Sequence, residues 1–203
     1  MELTQDIAAE VQRLTSRFGP PRHVRSPIDD AFDDPIRKDD RFGEVCMVIR
    51  RPNGKLLLSI KTFYPRGAFR LPTGGIHHGE SVHSALIREA HEETGLELEV
   101  TRFLAHISYP TVRDATPLFH TFAFLLEERG GTLGALDESE QIEEWREVAW
   151  SELRSVADFL DDLHEDGTRS VGGSWRAWGK FRAVVHRVVH EALSDVAARG
   201  ERA

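Results

Sequence analysis

Cysteine and long apolar runs are scarce in this sequence. Cys46 is the single cysteine among 203 residues, which excludes an internal disulfide, and its position in the run VCMVI indicates a buried thiol. No apolar run approaches the roughly 20 residues that a membrane-spanning helix requires. The first residues, MELTQDIAAEVQRL, have neither a basic start nor an apolar centre and do not resemble a signal peptide. We therefore expect a cytoplasmic protein without a membrane partner.

Basic residues are outnumbered by acidic ones. The chain has 26 Lys and Arg against 34 Asp and Glu, a formal net charge of −8. Binding of nucleic acid without sequence preference needs a basic face, so nucleic acid is an unlikely partner. A small anionic substrate is compatible with this charge, because cations can gather locally at one site. The length and the 40% hydrophobic content favour one domain with extensions.

Apolar residues at helical spacing predict helices at both ends of the chain. The first covers residues 4–18, with Thr4 as N-cap and Gly19 as its end. The second covers residues 174–198. Residues 20–41 are rich in proline and charge, which predicts a linker or an irregular wrap.

Between the ends, strands and helices are mixed. Strands are predicted for EVCMVIR and KLLLSIKTF, joined by a hairpin turn at Asn53-Gly54. A loop follows from Tyr64 to Glu80. Further strands are predicted for LELEVTRFLAHISY, LFHTFAFLLEE and EEWREVAW, and Ser151 is the predicted N-cap of a helix SELRSVADFL. This mixture predicts an α/β/α sandwich or an α+β fold.

The segment from 81 to 94 predicts a short helix with three glutamates near its end, closed by Gly95. At about 100° per residue, this glutamate cluster (Glu89, Glu92 and Glu93) falls on the apolar side of the helix, and Arg88 falls on the opposite side. Like charges at these spacings repel, and the negative end of the helix dipole adds to the cost. Something positive should offset the cluster.

Two kinds of positive partner can do so, a basic side chain or a divalent cation. We favour the cation, because carboxylate oxygens suit hard ions such as Mg²⁺ or Mn²⁺. His77 and His78 are adjacent and should point apart, which does not match the ligand spacing of zinc sites. The glycines of PTGG and Gly79 permit tight turns and a close approach of the backbone to a ligand.

The residues from Gly74 to Leu96 resemble the Nudix box, the signature of the Nudix hydrolase family. The pattern is G-x5-E-x7-R-E-U-x-E-E-x-G-U, in which U is a bulky aliphatic residue. Its fixed positions are all present, as Gly74, Glu80, Arg88, Glu89, Glu92, Glu93 and Gly95. The only departure is Ala90, which places a small apolar residue at the first aliphatic position.

The resemblance implies a fold and a domain organisation. A Nudix domain is an α/β/α sandwich with a mixed β-sheet, and the order of the predicted elements places it at residues 42–163. Residues 1–41 would be an N-terminal helix and linker extension. Residues 164–203 would be a C-terminal helical extension that packs on the domain. Nudix proteins are often dimers, so the resemblance also suggests a homodimer.

The resemblance further implies roles for the residues of the box. The glutamate cluster would ligate one to three Mg²⁺ or Mn²⁺ ions, and Arg88 would orient a glutamate through a salt bridge. Glu80 would hold the loop or contribute to a further metal. A backbone carbonyl of Gly74 or Gly75 would complete a metal shell. The implied reaction is attack of water on a diphosphate linkage, for which bound metals neutralise charge and activate the water.

Acidic and basic residues outside the box are candidates for catalysis or for substrate binding. Some family members take a general base from a late acidic loop, and we favour Glu140 among the four glutamates that the segment LDESEQIEEW offers for this role, Glu138, Glu140, Glu143 and Glu144. The alternative is a solvated acidic loop. Lys61, Arg66 and Arg70 precede the box and are candidates for binding phosphate oxygens, with an ordinary surface charge as the alternative for each.

The substrate class is indicated only broadly. Pro110 lies fourteen residues after Leu96, near the position of a proline in family members that cleave ADP-ribose. Tyr109 falls short of the position of a tyrosine typical of dinucleoside polyphosphate hydrolases. We therefore expect a nucleoside diphosphate linked to another moiety, such as ADP-ribose, a nucleotide sugar, a dinucleotide or a nucleoside triphosphate. Four aromatic residues either stack on a base or pack in the core: Trp145, Trp150, Trp175 and Trp178.

Three functional hypotheses follow. The first is a metal-dependent pyrophosphohydrolase. The second is a non-catalytic nucleotide sensor or regulator on the same fold, although such proteins usually have an eroded box and this one is intact. The third is processing of messenger caps or RNA ends by the same chemistry, which the acidic balance of the chain disfavours.

Overall fold

The computed structural model describes residues 3–28, 41–111, 113, 117–164 and 174–200. Within these ranges the helices are Gln5–Phe18 (α1), Val82–Thr94 (α2), Leu153–Asp161 (α3) and Trp175–Ala198 (α4). The strands are Arg22–Arg25 (β1), Arg41–Arg50 (β2), Leu56–Lys61 (β3), Thr73–His77 (β4), Leu96–Pro110 (β5), Pro117–Gly131 (β6) and Ile142–Val148 (β7). Two short 3₁₀ helices are at Glu138–Glu140 and Trp150–Glu152.

The strands form one mixed sheet in the order β1-β5-β6-β2-β3-β7, and β4 pairs with β2. The central strand β2 runs parallel to β6 and antiparallel to β4. Its residues are buried from Phe42 to Arg50, as expected for a strand that is covered on both faces. The pairing of β2 with β4 brings the start of the box to the centre of the sheet.

Helices cover both faces of the sheet. Cys46 and Val48 of β2 pack into a core with α3 and α4, whereas Val45, Met47 and Ile49 pack into a second core with α1 and α2. This alternation follows from the two-residue period of a strand. The predicted sandwich with a mixed sheet and flanking helices is therefore confirmed, and so is the burial of the Cys46 thiol.

Two short strands were absent from the sequence predictions. Residues 20–41 were expected to be irregular, but β1 pairs in parallel with β5, and β2 already begins at Arg41. Residues 29–40 of that segment lie outside the described residues. The expected loop between Tyr64 and Glu80 contains β4. Neither RHVR nor TGGIH has the apolar alternation that is typical of a strand. Pairing with another strand stabilises each of them instead, so the sequence pattern alone does not predict them.

The helix ends mostly follow the predicted caps. Thr4 accepts a hydrogen bond from the Ile7 amide, and Gly95 closes α2 in the left-handed conformation, with φ of 64°. The expected N-cap Ser151 is wrong. It lies inside the 3₁₀ turn Trp150–Glu152, and α3 begins only at Leu153.

The helix α4 is part of the core. Trp178 and Val189 are fully buried in the core that α4 shares with α3 and the sheet. Gly179 allows the close crossing with α3, because a Cβ there would lie 2.1 Å from the Leu160 carbonyl oxygen. In the part of the chain that the structure describes, no helix combines the length and apolarity required to cross a membrane.

The N-terminal helix holds the start of α2. The Glu10 carboxylate is buried and accepts hydrogen bonds from the backbone amides of Val82, at 2.9 Å, and His83, at 3.0 Å. The first amides of a helix have no intrahelical partner, and the helix dipole there favours a negative charge. Glu10 therefore satisfies two such groups from a segment that lies 72 positions before Val82 in the chain.

We expect Glu10→Ala to lower the free energy of unfolding by roughly 1–3 kcal/mol, because it leaves two sheltered amides without an acceptor. Urea unfolding measures the effect. Gln12→Ala, on the exposed side of the same helix, is the matched control and should change stability little. Equal stabilities of the Glu10→Ala protein and the wild type would contradict the capping role.

Candidate functional site

The glutamate cluster lies at the C-terminal end of α2, with two of its members buried. Glu89 and Glu93 are 8% and 1% exposed. The Glu92 side chain is 42% exposed and lies at the rim. The predicted inward orientation is therefore observed for Glu89 and Glu93 and only partly for Glu92.

The angular position of Arg88 predicts that it lies on the side of the helix opposite the cluster, but its guanidinium contacts the cluster. Its Nη1 is 2.8 Å from Glu89 Oε1 and 3.1 Å from Glu92 Oε2. Its Nη2 donates to the Gly75 carbonyl at 3.1 Å and to Glu80 Oε2 at 2.9 Å. The flexible arginine side chain folds back across the helix, and its hydrogen bonds to Glu80 hold the pKa of that carboxyl below its ordinary value. Arg88 thus links three glutamates to strand β4.

Lys61 provides the second positive charge. Its Nζ is 3.2 Å from Glu93 Oε1 and 2.8 Å from Glu140 Oε2. Lys61, a candidate for binding phosphate, is therefore ion-paired with the cluster in this structure. The same contact brings Glu140, the candidate general base, close to Glu93, whereas Glu143 and Glu144 of the acidic segment are exposed on β7.

One carboxylate oxygen of the cluster remains unsatisfied. Glu93 Oε2 is buried and has no hydrogen-bond partner among the described residues. Burial raises the pKa of Glu93 to about 7, against the opposing effect of Lys61 and Arg70. A cation that binds to this oxygen would stabilise the charged form of the buried carboxylate.

The residues present fit a hard divalent ion by their chemistry. They offer carboxylate oxygens and the backbone of β4, which suit Mg²⁺ or Mn²⁺, and one of those oxygens is buried without a partner. Across the described ranges, however, no three His, Cys, Asp or Glu side chains already form an ion-binding group. Arg88 and Lys61 hold the carboxylates instead. His77 and His78, whose spacing does not match that of zinc ligands, are both exposed.

Gly74 and Gly75 are required by close contacts rather than by turns. A Cβ on Gly74 would lie 2.1 Å from the carboxylate carbon of Glu89. A Cβ on Gly75 would lie 2.2 Å from Nη1 of Arg41. Real Cβ atoms do not approach other atoms so closely, so the backbone of β4 can approach Glu89 only because residue 74 is glycine, whereas Gly75 leaves room for the guanidinium of Arg41.

Arg70, a candidate for binding phosphate, is 3% exposed. Its Nη1 donates to the Leu71 carbonyl at 2.8 Å and to Thr73 Oγ1 at 3.0 Å, and its Nη2 donates to the Tyr64 hydroxyl at 2.6 Å. These partners occupy donors of Arg70 in this structure, and its contact with phosphate stays a prediction. Arg66 is exposed in the turn that follows Tyr64, and its contact with phosphate stays a prediction.

Two of the four tryptophan candidates are buried in the core. Trp175 and Trp178 are buried around Tyr64, whereas Trp145 and Trp150 are half-buried. Tyr109 is also buried, with its ring centroid 4.7 Å from that of Phe181 on α4, and Pro110 follows it at the buried end of β5.

Two residues that sequence analysis missed lie on α4. Arg182 contacts Glu44 of β2, and His186 accepts a hydrogen bond from the backbone of Leu71, just before the box. The helical stripe of α4 predicted packing for its apolar residues. No spacing in the sequence could pair these polar residues with partners more than a hundred positions away.

Comparison with known proteins identifies the family. The model of the NUDIX domain matches residues 40–170, more than half of the chain. The chain belongs to the Nudix family. The match begins next to β2 and includes every strand that borders the glutamate cluster.

Two curated relatives show partial similarity to this Nudix protein. An ADP-ribose pyrophosphatase of Methanocaldococcus jannaschii is 37% identical over 98 residues, which are 47% of this chain and 56% of that protein. Nudix hydrolase 2 of Arabidopsis thaliana is 34% identical over 73 residues, which are 35% of this chain and 26% of that protein. The matched part of the chain thus spans about half the length of the first relative and about a quarter of the second.

Among solved structures, an ADP-ribose pyrophosphatase of Streptococcus suis is similar to this chain at 20% sequence identity and a TM-score of 0.44. The similarity covers 74% of this chain and 90% of that one.

We expect Gly74→Ala to displace the Glu89 carboxylate, because the added methyl group would occupy its position. The variant should unfold at a lower temperature than the wild type and should lose most of any stabilisation by Mn²⁺. Thermal unfolding with and without millimolar Mn²⁺ measures both effects. Gly134→Ala is the matched control, since a Cβ there meets nothing within 4 Å. A Gly74→Ala protein that responds to Mn²⁺ like the wild type would contradict the close-contact role.

Proposed function

We propose that this Nudix protein is a metal-dependent pyrophosphohydrolase that cleaves a diphosphate linkage in a nucleoside diphosphate joined to another moiety. The observation that carries the proposal is the buried, unpartnered Oε2 of Glu93, beside Glu89 and the glycine strand of an intact box. A buried carboxylate without a full set of partners is costly unless a cation is meant to reach it.

The residues that would hold the ion are Glu89, Glu92, Glu93 and the backbone carbonyl of Gly74. A bound Mg²⁺ or Mn²⁺ would neutralise diphosphate oxygens and lower the pKa of an attacking water. Arg88 keeps Glu89 and Glu92 in place through its shared guanidinium. The protein thereby carries its own counter-charges, which prevent the carboxylates from moving apart when no ion is bound.

Glu140 is our candidate for the general base. A base must lie within hydrogen-bond reach of the water that it deprotonates, directly or through one further water. Lys61 bridges Glu140 and Glu93, so Glu140 is kept at the edge of the cluster. Lys61 is also positioned to move from Glu93 to a phosphate oxygen of the substrate, which would reconcile its ion pairs with its proposed role in substrate binding.

ADP-ribose is the substrate that we favour within this class. Two observations support it: the similarity to the ADP-ribose pyrophosphatase of M. jannaschii, and the position of Pro110 beyond the box. Nucleotide sugars, dinucleotides and nucleoside triphosphates contain the same kind of linkage and are the natural comparisons.

Glu93→Gln should reduce Mg²⁺-dependent or Mn²⁺-dependent turnover by at least ~100-fold, because it neutralises a residue at the centre of the proposed ion site. The metal-free variant should melt no lower than the wild type, since a neutral amide costs less to bury than a carboxylate. Millimolar Mn²⁺ should raise the melting temperature of the wild type but not of the variant.

Glu143→Gln, an exposed change in the acidic segment, is the control for Glu93→Gln and should behave as the wild type. A fully active Glu93→Gln enzyme would refute the proposed mechanism. A wild type whose melting temperature ignores Mn²⁺ would refute the ion site.

The substrate assignment is tested by measuring the release of nucleotide or phosphate from a panel, with Mg²⁺ and with Mn²⁺. The panel contains ADP-ribose, NADH, nucleotide sugars, dinucleoside polyphosphates and nucleoside triphosphates. We expect the highest kcat/KM for ADP-ribose, with AMP as a product. Preference for another member would correct the substrate but keep the reaction. Stabilisation by one ligand without any hydrolysis would instead indicate the nucleotide sensor.

A further inference from the structure

The helix α4 reaches the segment that leads into the box through a buried histidine. His186 is 0% exposed. Its Nε2 lies 2.9 Å from the Leu71 amide nitrogen, and its Nδ1 lies 2.8 Å from the Arg182 carbonyl oxygen. Because the Leu71 N–H donates to Nε2, the ring proton must be on Nδ1, where it is donated to Arg182. Both ring nitrogens are therefore used, and the neutral form is fixed.

Arg182 makes a second connection, one turn earlier on the same helix. Its Nη1 is 2.7 Å from both carboxylate oxygens of Glu44 and 3.4 Å from Thr73 Oγ1. Glu44 is opposite Gly75 in the pairing of β2 with β4. The guanidinium of Arg182 therefore lies against β2 and β4 at the level of the box glycines.

Strand β4 is consequently held from both faces. The side chain of Thr73 contacts α4 through Arg182, whereas the adjacent Gly74 faces Glu89 of α2. A movement of β4 towards α4 would open a gap between the Gly74 backbone and the glutamate cluster. Metal and catalytic sites tolerate displacements of only about half an ångström, so the group behind the strand affects the site in front of it.

The chemistry of these contacts fits a positioning role better than a purely stabilising one. A buried ion pair such as Arg182 with Glu44 often adds little net stability over well-packed apolar residues, because desolvation offsets the attraction. Its directional hydrogen bonds nevertheless define where each partner lies. The hydrogen bond from the Leu71 amide to His186 likewise defines where Leu71 lies relative to α4.

We propose that His186, assisted by Arg182, is a positioning residue that sets the distance between strand β4 and the glutamate cluster, and thereby the affinity for the divalent ion. This inference rests on the proposed function. It assigns a role in positioning the site to the C-terminal helix α4, which lies outside the box.

Two substitutions separate the two nitrogens of His186. His186→Gln keeps an acceptor near the position of Nε2, whereas His186→Asn reaches only the position of Nδ1 and leaves the Leu71 amide without an acceptor. We expect His186→Asn to weaken Mn²⁺ binding on the order of 10-fold, as removal of a supporting partner does at metal sites. His186→Gln should bind Mn²⁺ within about twofold of the wild type, since it preserves the supporting hydrogen bond.

Two measurements on the full chain test the proposal. Free Mn²⁺ is measured by electron paramagnetic resonance during titration of each variant, without substrate. Amide hydrogen exchange of the peptide spanning residues 71–75 is measured in the metal-free proteins, where His186→Asn should exchange faster and His186→Gln should not. The control is Val189→Ala, which removes buried apolar volume from the same helix and leaves the hydrogen-bonding groups of His186 and Arg182 in place.

The outcomes distinguish a positioning role from general destabilisation. Weak Mn²⁺ binding by His186→Asn alone supports the proposal. Equal weakening by Val189→Ala, at a similar loss of melting temperature, overturns it, as does a His186→Asn protein that binds Mn²⁺ like the wild type. If the wild type binds no Mn²⁺, the proposed function fails and the affinity claim with it. The exchange comparison then still decides whether His186 fixes the strand.

Discussion

The burial of like-charged carboxylates at one helix end is the constraint on which the surrounding structure depends. Glu89 and Glu93 are turned inward where the helix dipole opposes them. Arg88 and Lys61 supply the counter-charge, and one oxygen of Glu93 is still left unsatisfied. The glycine strand β4, the ion pairs and the nearby Glu140 can all be understood as parts of the proposed ion site, in which they keep these carboxylates together.

The two terminal helices act on this site from opposite faces of the sheet. On one face, Glu10 of α1 caps the start of α2. On the other, His186 and Arg182 of α4 hold the segment that enters the box. The box is therefore held at two places, at the start of α2 and at the segment that leads into β4. Each support is a buried hydrogen-bonding group whose partner would be left unsatisfied by its loss, which is why these contacts are directional and not merely cohesive.

Local patterns predicted the parts of the fold whose stability is local. The limits of α2, its cap at Gly95 and the hairpin turn at Gly54 follow from short-range rules and are present in the structure. Strands β1 and β4 were missed, because four or five residues without apolar alternation become strands only through partners elsewhere in the chain. The basic residues before the box show the same limit. Their charge was evident, but the partners that pair Lys61 with Glu93 and bury Arg70 beneath Tyr64 were not.

The sequence by itself determined the family, the box residues and the chemical class of ligand that their oxygens suit, because these are encoded in residue identity at fixed spacing along one loop and one helix. Only the tertiary structure decided which charges meet. In the tertiary structure the Arg88 side chain folds back to contact Glu89, and Lys61 forms an ion pair with Glu140 beside the cluster. His186 of α4 accepts a hydrogen bond from the Leu71 amide. The physical reason is that electrostatic and hydrogen-bonding partners are selected by distances of about 3 Å in space, which the packing of two helical layers on one sheet sets and which spacing along the chain does not.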